Sequence, residues 1–166
     1  MEEVSHCCDV LTLQIRRVYE PEAVIAIDDG GSVLGELLAK ELNVKIVHIS
    51  VRRDIKISRR YSLDPSPLNL IMRMYHNYLF QTVKPTIVGD INCIITDKKV
   101  LIVDDAIHSG ATLDVVIPVL KALGVTDIKI AALSYVASRQ PHFSALPQGN
   151  YCFPWSVDYA DFVQKK

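Results

Sequence analysis

The chain has 166 residues, 18 basic and 19 acidic side chains, a net charge of −1 and 49% apolar residues. That length suits one domain with a sizeable core, and the near-balanced charge argues against nucleic acid and against an acidic partner. No apolar run approaches the eighteen or more residues that span a bilayer, and Met1-Glu2-Glu3-Val4-Ser5-His6 lacks the basic-then-apolar form of a secretion signal, so a cytoplasmic protein with no membrane partner is expected.

Val4, Cys7, Cys8, Leu11, Ile15 and Val18 recur at helical spacing and predict an amphipathic helix ending near Tyr19, before Pro21. Ala23-Val24-Ile25-Ala26-Ile27 reads as a buried strand, and Asp28-Asp29-Gly30-Gly31 as a turn. Leu34, Leu37, Leu38 and Leu42 mark a second helix, and Lys45 to Val51 a second strand. Strand, helix, strand at this spacing is a βαβ unit, hence a parallel sheet.

Arg52-Arg53-Asp54-Ile55-Lys56-Ile57-Ser58-Arg59-Arg60 is the basic cluster of the chain. It leaves the second strand at its carboxyl end, where ligands of parallel sheets bind. It serves either as an anion site or as a solvated basic hairpin. After Asp64-Pro65-Ser66-Pro67, a helix is expected over approximately 66–84, carrying Leu68, Ile71, Met72, Tyr75, Tyr78, Leu79 and Val83. It suits core packing, a subunit interface or a lid. Thr86 to Ile95 is extended, and Thr96-Asp97-Lys98-Lys99 turns the chain. Cys7, Cys8, Cys93 and Cys152 show no CxxC spacing and read as small, buried or half-buried thiols rather than zinc ligands or a disulfide framework.

The most informative stretch runs from Val100 to Gly124. Val100-Leu101-Ile102-Val103 is a buried strand that meets Asp104 and Asp105. A short turn of small and hydroxyl residues follows, then an apolar-periodic helix that contains Pro118 and is closed by Gly124. Backbone N–H groups of such a turn, with Ser109 and Thr112, can hold an anion. Carboxylates repel phosphate, so the acidic pair should face sugar hydroxyls or a divalent metal.

This segment resembles the phosphoribosyl pyrophosphate (PRPP) signature of the type I phosphoribosyltransferases. The resemblance implies a single α/β domain over 1–166, a mostly parallel twisted sheet flanked by helices, with a small C-terminal hood from approximately 139 to 166. Residues 66–84 would be an insertion relative to the shorter purine enzymes. The resemblance further implies that Asp104 and Asp105 hold the ribose hydroxyls while Ala106, Ile107, His108, Ser109, Gly110, Ala111 and Thr112 wrap the 5′-phosphate. Mg2+ would act as cofactor, with Asp104 and Asp105 as its candidate ligands through ribose or water.

In that family the turn after the first strand binds pyrophosphate and carries a base before two glycines. Here Asp29 stands before Gly30 and Gly31, preceded by Asp28. Either Mg2+ bridges these carboxylates to the pyrophosphate, or they point away, or pyrophosphate binds weakly. Arg52 and Arg53 are candidates for the missing positive charge. Asp127 to Val136 is a further parallel strand. The end of the chain, Asn150-Tyr151-Cys152-Phe153-Pro154-Trp155, is similar to the hood of small xanthine-guanine and hypoxanthine-type enzymes, which makes Tyr151, Phe153 and Trp155 base-stacking candidates. Closing the core is the other use for these aromatics. Those relatives place a lysine after the last long strand, where this chain has Val136-Ala137-Ser138-Arg139, so Arg139 is the base-contact candidate.

His108 stands where the 6-oxopurine enzymes carry an aspartate that relays the proton of the base N7. An imidazole can do this near neutral pH; it can equally bind the 5′-phosphate as a cation, or stand exposed. The expected reaction is transfer of the 5-phosphoribosyl group of PRPP to a nucleobase nitrogen, a purine in salvage, with release of pyrophosphate. His108, Asp104 and Asp105 are the catalytic candidates, PRPP and a nucleobase the small-molecule partners, and a homo-oligomer, dimer or tetramer, the expected assembly. The alternative is a non-catalytic PRPP- or nucleotide-binding regulatory module. A dinucleotide oxidoreductase is disfavoured because no GxGxxG follows any strand.

Overall fold

Ala23–Ile27 forms strand β1 and is buried at every position, as a parallel strand covered on both faces must be. The structure, a computed structural model, describes residues 2–28, 30–53, 71, 74, 82–88, 99–136, 139–149, 151, 153 and 155. In chain order the other elements are α1 (Glu2–Val18), α2 (Gly31–Leu42), β2 (Lys45–Arg52), β3 (Thr86–Val88), β4 (Lys99–Ile107), α3 (Ala111–Ala122), β5 (Asp127–Tyr135) and β6 (Phe143–Ser144). They build a six-stranded sheet in the order β3-β2-β1-β4-β5-β6. Every pairing is parallel except β2 with β3, where Val51 faces Ile87 in an antiparallel edge. This is the single α/β domain and mostly parallel sheet expected from the sequence.

Alternation along the strands divides the core in two. Ile25, Val47, Ile102 and Ile130 pack with Leu113, Val116 and Leu120 of α3 on one face. Val24, Leu101, Val103 and Leu133 pack with Leu11 and Ile15 of α1 and Leu34 and Leu38 of α2 on the other. Tyr19, just past α1, ties the amino end of the sheet together: its hydroxyl donates to the carbonyls of Val100 and Asp127, each at 3.1 Å.

The helix after β1 and the helix after β4 lie on opposite faces, and β1 and β4 are neighbours. Their connections therefore leave in opposite directions and open a crevice at the carboxyl ends of these two strands. β4 also runs further than its apolar stretch. It pairs with β1 only as far as Val103 but with β5 as far as Ile107, opposite Tyr135. The acidic pair thus lies inside the strand, past the last residue of β4 that pairs with β1.

Other differences from the sequence reading are local. Only Thr86–Val88 of the stretch expected to be extended is a described strand; residues 89–98 lie outside the described residues. The two-residue strand β6, paired with Ala131 and Ala132, has no periodic signal in the sequence. It is introduced by His142, whose backbone N–H donates to the Ile130 carbonyl and whose ring Nδ1 accepts the Ile130 N–H at 3.1 Å. Helix α3 runs on through Pro118 and ends where expected, with Gly124 left-handed at φ 95°. Of the helix expected over 66–84, most lies outside the described residues; Ile71 and Met74, which are described, are exposed. Cys8 is buried and Cys7 half-buried, both as free thiols, while Cys93 and Cys152 lie outside the described residues.

Candidate active site

The crevice is lined by the turn after β1, the acidic end of β4 and the turn that starts α3. Successive side chains of a strand point to opposite faces, and Asp104 and Asp105 divide accordingly. Asp105 follows Val103 toward α2. Its carboxylate lies so close over Gly30 that a Cβ there would come within 2.0 Å of its Oδ2. Its Oδ1 accepts the backbone N–H of Ala106 and its Oδ2 the indole N–H of Trp155, both at 2.7 Å. Asp104 accepts the backbone N–H of Asp105 at 3.0 Å and interacts electrostatically with Arg53.

Burial pushes the Asp104 carboxyl well above the ordinary carboxylate range; the charge of Asp105 pushes the same way and Arg53 opposes. Between the ordinary value near 4 and this raised one, the folded protein holds a proton that the unfolded chain has lost. Stability is therefore lost as pH rises through that window, and above it the ionised Asp104 is a cost to the fold. Asp104→Asn is expected to raise the melting temperature at neutral pH by a few degrees, a gain that vanishes toward about pH 4. Melting curves of both proteins across this range check it; a gain independent of pH would show that Asp104 ionises freely.

The turn between β4 and α3 is His108-Ser109-Gly110. Ile107 is buried in the α3-side core, and Ala106 lies in the strand, so these two offer backbone rather than side chains. His108 and Ser109 are exposed. Gly110 precedes α3 with φ 75° and gives its helix no side-chain cap. In the first turn the Ala111 N–H donates to Ser109 Oγ at 3.4 Å and the Asp114 N–H to the Gly110 carbonyl at 3.0 Å, which leaves those of Thr112 and Leu113 for an anion. Two constraints fix glycine here: the left-handed φ, and Arg139, whose Cδ would lie 2.7 Å from any Cβ. Arg139 crosses this turn to form an ion pair with Asp114 in the first turn of α3. The structure therefore brings Arg139, the base-contact candidate, over the turn that starts α3.

At the end of β1, Asp28 is turned toward β2. Its carboxylate accepts the hydroxyl of Ser50, that of Ser32 at 3.1 Å, and faces His48 Nδ1 at 3.2 Å. The Ser50 hydroxyl above all holds its pKa below the ordinary carboxylate value against the opposing effect of burial, with Ser32 and His48 adding to the lowering. Of the three alternatives for the acidic turn, Asp28 takes the second: its charge is directed into the β2 side. Asp29 lies outside the described residues. Asp28, Ser32, Ser50, Val51 and Arg52 line an open cavity of about 300 Å³. Of the two expected cations, Arg52 reaches this cavity and Arg53 the neighbourhood of Asp104.

The aromatic residues near the end of the described chain separate in role. Phe153 is buried in the core beside α1 and α2. Trp155 stacks on it at 5.6 Å between centroids and 17° between planes, and so reaches Asp105. Tyr151 is exposed and lies over Gly149. Sequence reasoning missed Ser32, His48 and Ser50. The only available signal was their polar character, on β2 for His48 and Ser50 and at the start of α2 for Ser32, which by itself is ordinary for a strand near the sheet edge and for a helix start.

For Mg2+, the donors present are hard carboxylate oxygens, and no group of three or more His, Cys, Asp or Glu side chains gathers among the described residues. That fits an ion held by one or two carboxylates plus substrate oxygens and water, the usual habit of Mg2+.

A doubly wound, mostly parallel sheet whose central strand carries two acids toward its carboxyl end, before a glycine turn into a helix, is the type I phosphoribosyltransferase architecture. The chain belongs to that family: the phosphoribosyl transferase domain model matches residues 3–161. A purine phosphoribosyltransferase from Pyrococcus horikoshii Ot3 superposes with a TM-score of 0.70 at 27% identity, over 93% of this chain and 89% of that one. The xanthine-guanine-hypoxanthine phosphoribosyltransferase of Helicobacter pylori shares the fold, with a TM-score of 0.65 at 16% identity over 96% of this chain and 92% of its own. Adenine phosphoribosyltransferase of Bordetella avium (strain 197N) is 29% identical over 125 residues, 72% of this chain, and the chain spans 59% of that protein's length. Among the described residues no helix is long and apolar enough to cross a membrane.

Proposed function

We propose that this domain transfers the 5-phosphoribosyl group of PRPP to a ring nitrogen of a purine base and releases pyrophosphate. The observation that carries the proposal is the carboxyl end of the adjacent strands β1 and β4, where the Gly30–Gly31 turn lies against Asp105 and the β4 backbone, and β4 runs on into the Gly110 turn. Membership of the family and its purine-specific relatives support the choice of substrates. We assign the protein to the cytoplasm and expect a dimer or tetramer.

In this reading Asp104 and Asp105 take the ribose hydroxyls, and the charge of Asp105 favours the positive charge that develops on the sugar as pyrophosphate departs. The amides that open α3, with Thr112 and the crossing Arg139, hold the 5′-phosphate. Arg52 and Arg53, at the carboxyl end of β2, face the pyrophosphate. Mg2+, held through Asp104 or Asp105 and substrate oxygens, would neutralise charge on the leaving group. His108, exposed at the mouth of the turn, either relays the proton of the base or adds charge to the phosphate grip. The protein's main contribution is alignment of base and sugar.

Incubation with PRPP, Mg2+ and a panel of bases, followed by pyrophosphate release, tests the proposal. Release with a purine and not with a pyrimidine is the expected result. One observation favours a second reading: Asp28, with its pKa held low, lines the same cavity as Arg52, which leaves that cation beside a carboxylate rather than free for pyrophosphate. Binding of PRPP or a nucleotide without release by any base would make the domain a regulatory nucleotide-binding module instead.

A further inference from the structure

The Asp105 carboxylate is held by three separate parts of the chain. Ala106 N–H occupies Oδ1, the Trp155 indole N–H occupies Oδ2, and Gly30 forms the floor beneath it. Two carboxylate oxygens carry four lone pairs, so acceptor capacity remains for a ligand beside these bonds and the side-chain hydrogen bond shared with Asp104. Trp155 is braced in turn. It is half-buried and stacks on Phe153, which is itself buried in the core. An indole N–H only donates and has a single direction to offer; here, across 50 residues of sequence, it is spent on the carboxylate. A phenylalanine would keep the stacking and lose only this bond.

We propose that Trp155 is a positioning residue for the sugar clamp: its indole N–H fixes the Asp105 carboxylate in the orientation that receives the ribose hydroxyls. The inference rests on the reading of Asp105 as a sugar-hydroxyl acceptor. It makes the aromatic segment more than a cover for the base. The grip on the sugar depends on one nitrogen of that segment, whichever base is bound. Without the N–H, Asp105 keeps its charge and its floor but loses the donor that sets its rotation.

The test is Trp155→Phe, with calorimetric affinities for guanosine 5′-monophosphate and for its 2′,3′-dideoxy analogue, which lacks both hydroxyls. The variant is expected to bind the monophosphate about tenfold more weakly and the dideoxy analogue as wild type does. An equal loss for both ligands would mean that only packing was removed, and no loss for either would mean that Asp105 needs no positioning; each overturns the proposal. Asp105→Asn is measured in parallel. If wild type binds neither nucleotide, or if Asp105→Asn keeps the preference for the hydroxyl-bearing one, the reading of Asp105 itself fails, whatever Trp155→Phe does. Trp155 is the single tryptophan of the chain, so its emission gives a second readout that needs no variant of Trp155. Asp105→Asn should shift that emission in the ligand-free protein, and an unmoved spectrum would overturn the contact on which the proposal is built.

Discussion

Asp104→Asn combined with Asp105→Asn is expected to weaken binding of PRPP or of a purine 5′-nucleotide by roughly thirtyfold to a thousandfold. A hydrogen bond to a charged group contributes about 1.5–3 kcal/mol, and about 1.4 kcal/mol is tenfold in affinity. Loss of one such acceptor at Asp105 and of a neutral one at Asp104, which contributes about 0.5–1.5 kcal/mol, therefore spans roughly one and a half to three decades. The fold should survive, because neither carboxylate is needed by the core. Asp104 is pushed toward its neutral form by burial, and at position 105 the single amide oxygen can still accept one of the two N–H groups now donated to the carboxylate. The melting temperature should thus stay close to the wild-type value while affinity collapses. Isothermal titration on the folded variant decides the matter; unchanged affinity would remove the sugar clamp from these residues and with it the proposed transfer reaction.

Gly31→Ala should produce the largest loss of stability of any single change at the site. A Cβ at Gly31 would lie 2.7 Å from the Val103 carbonyl oxygen and 3.0 Å from the Asp104 Cα. These are backbone atoms of the central strand β4, bonded on one side to β1 and on the other to β5, so they cannot step aside as a flexible side chain can. Relief must come from lifting the start of α2 off the sheet. Overpacking of this kind costs about 1–3 kcal/mol, and the clash with immobile backbone puts this case near the upper end. A fall of roughly 4–10 °C in melting temperature is expected for a domain of this size. The displaced turn would also shift Gly30 beneath Asp105, so nucleotide affinity should drop together with stability. A melting curve identical to wild type would mean that α2 does not start against β4 in this way.

The two glycines show where local reading stops. From the sequence their use is close approach to an anion. The folded chain gives each a prior demand, room for the Asp105 carboxylate at Gly30 and for the β4 backbone at Gly31. Both demands come from residues more than seventy positions away, which no window of neighbouring residues contains.

What the chain settled by itself is what periodicity and short-range chemistry encode. Continuous β-branched runs marked β1 and β4, leucines at helical spacing marked α2, and an acidic pair followed by small residues and an apolar helix marked the ligand end of the sheet. These signals are local because a parallel strand must be apolar on both faces and a helix on one, whatever it packs against. Tertiary structure alone decided which way the polar groups at that end would turn. Asp28 has its charge bound by Ser32, His48 and Ser50, Arg139 spans the Gly110 turn to Asp114, Arg53 stands by Asp104, and Trp155 holds Asp105. The reason is physical: burial is dictated by each residue's own side chain, whereas a hydrogen bond or ion pair needs a partner, and here most partners arrive from strands and turns far away in sequence.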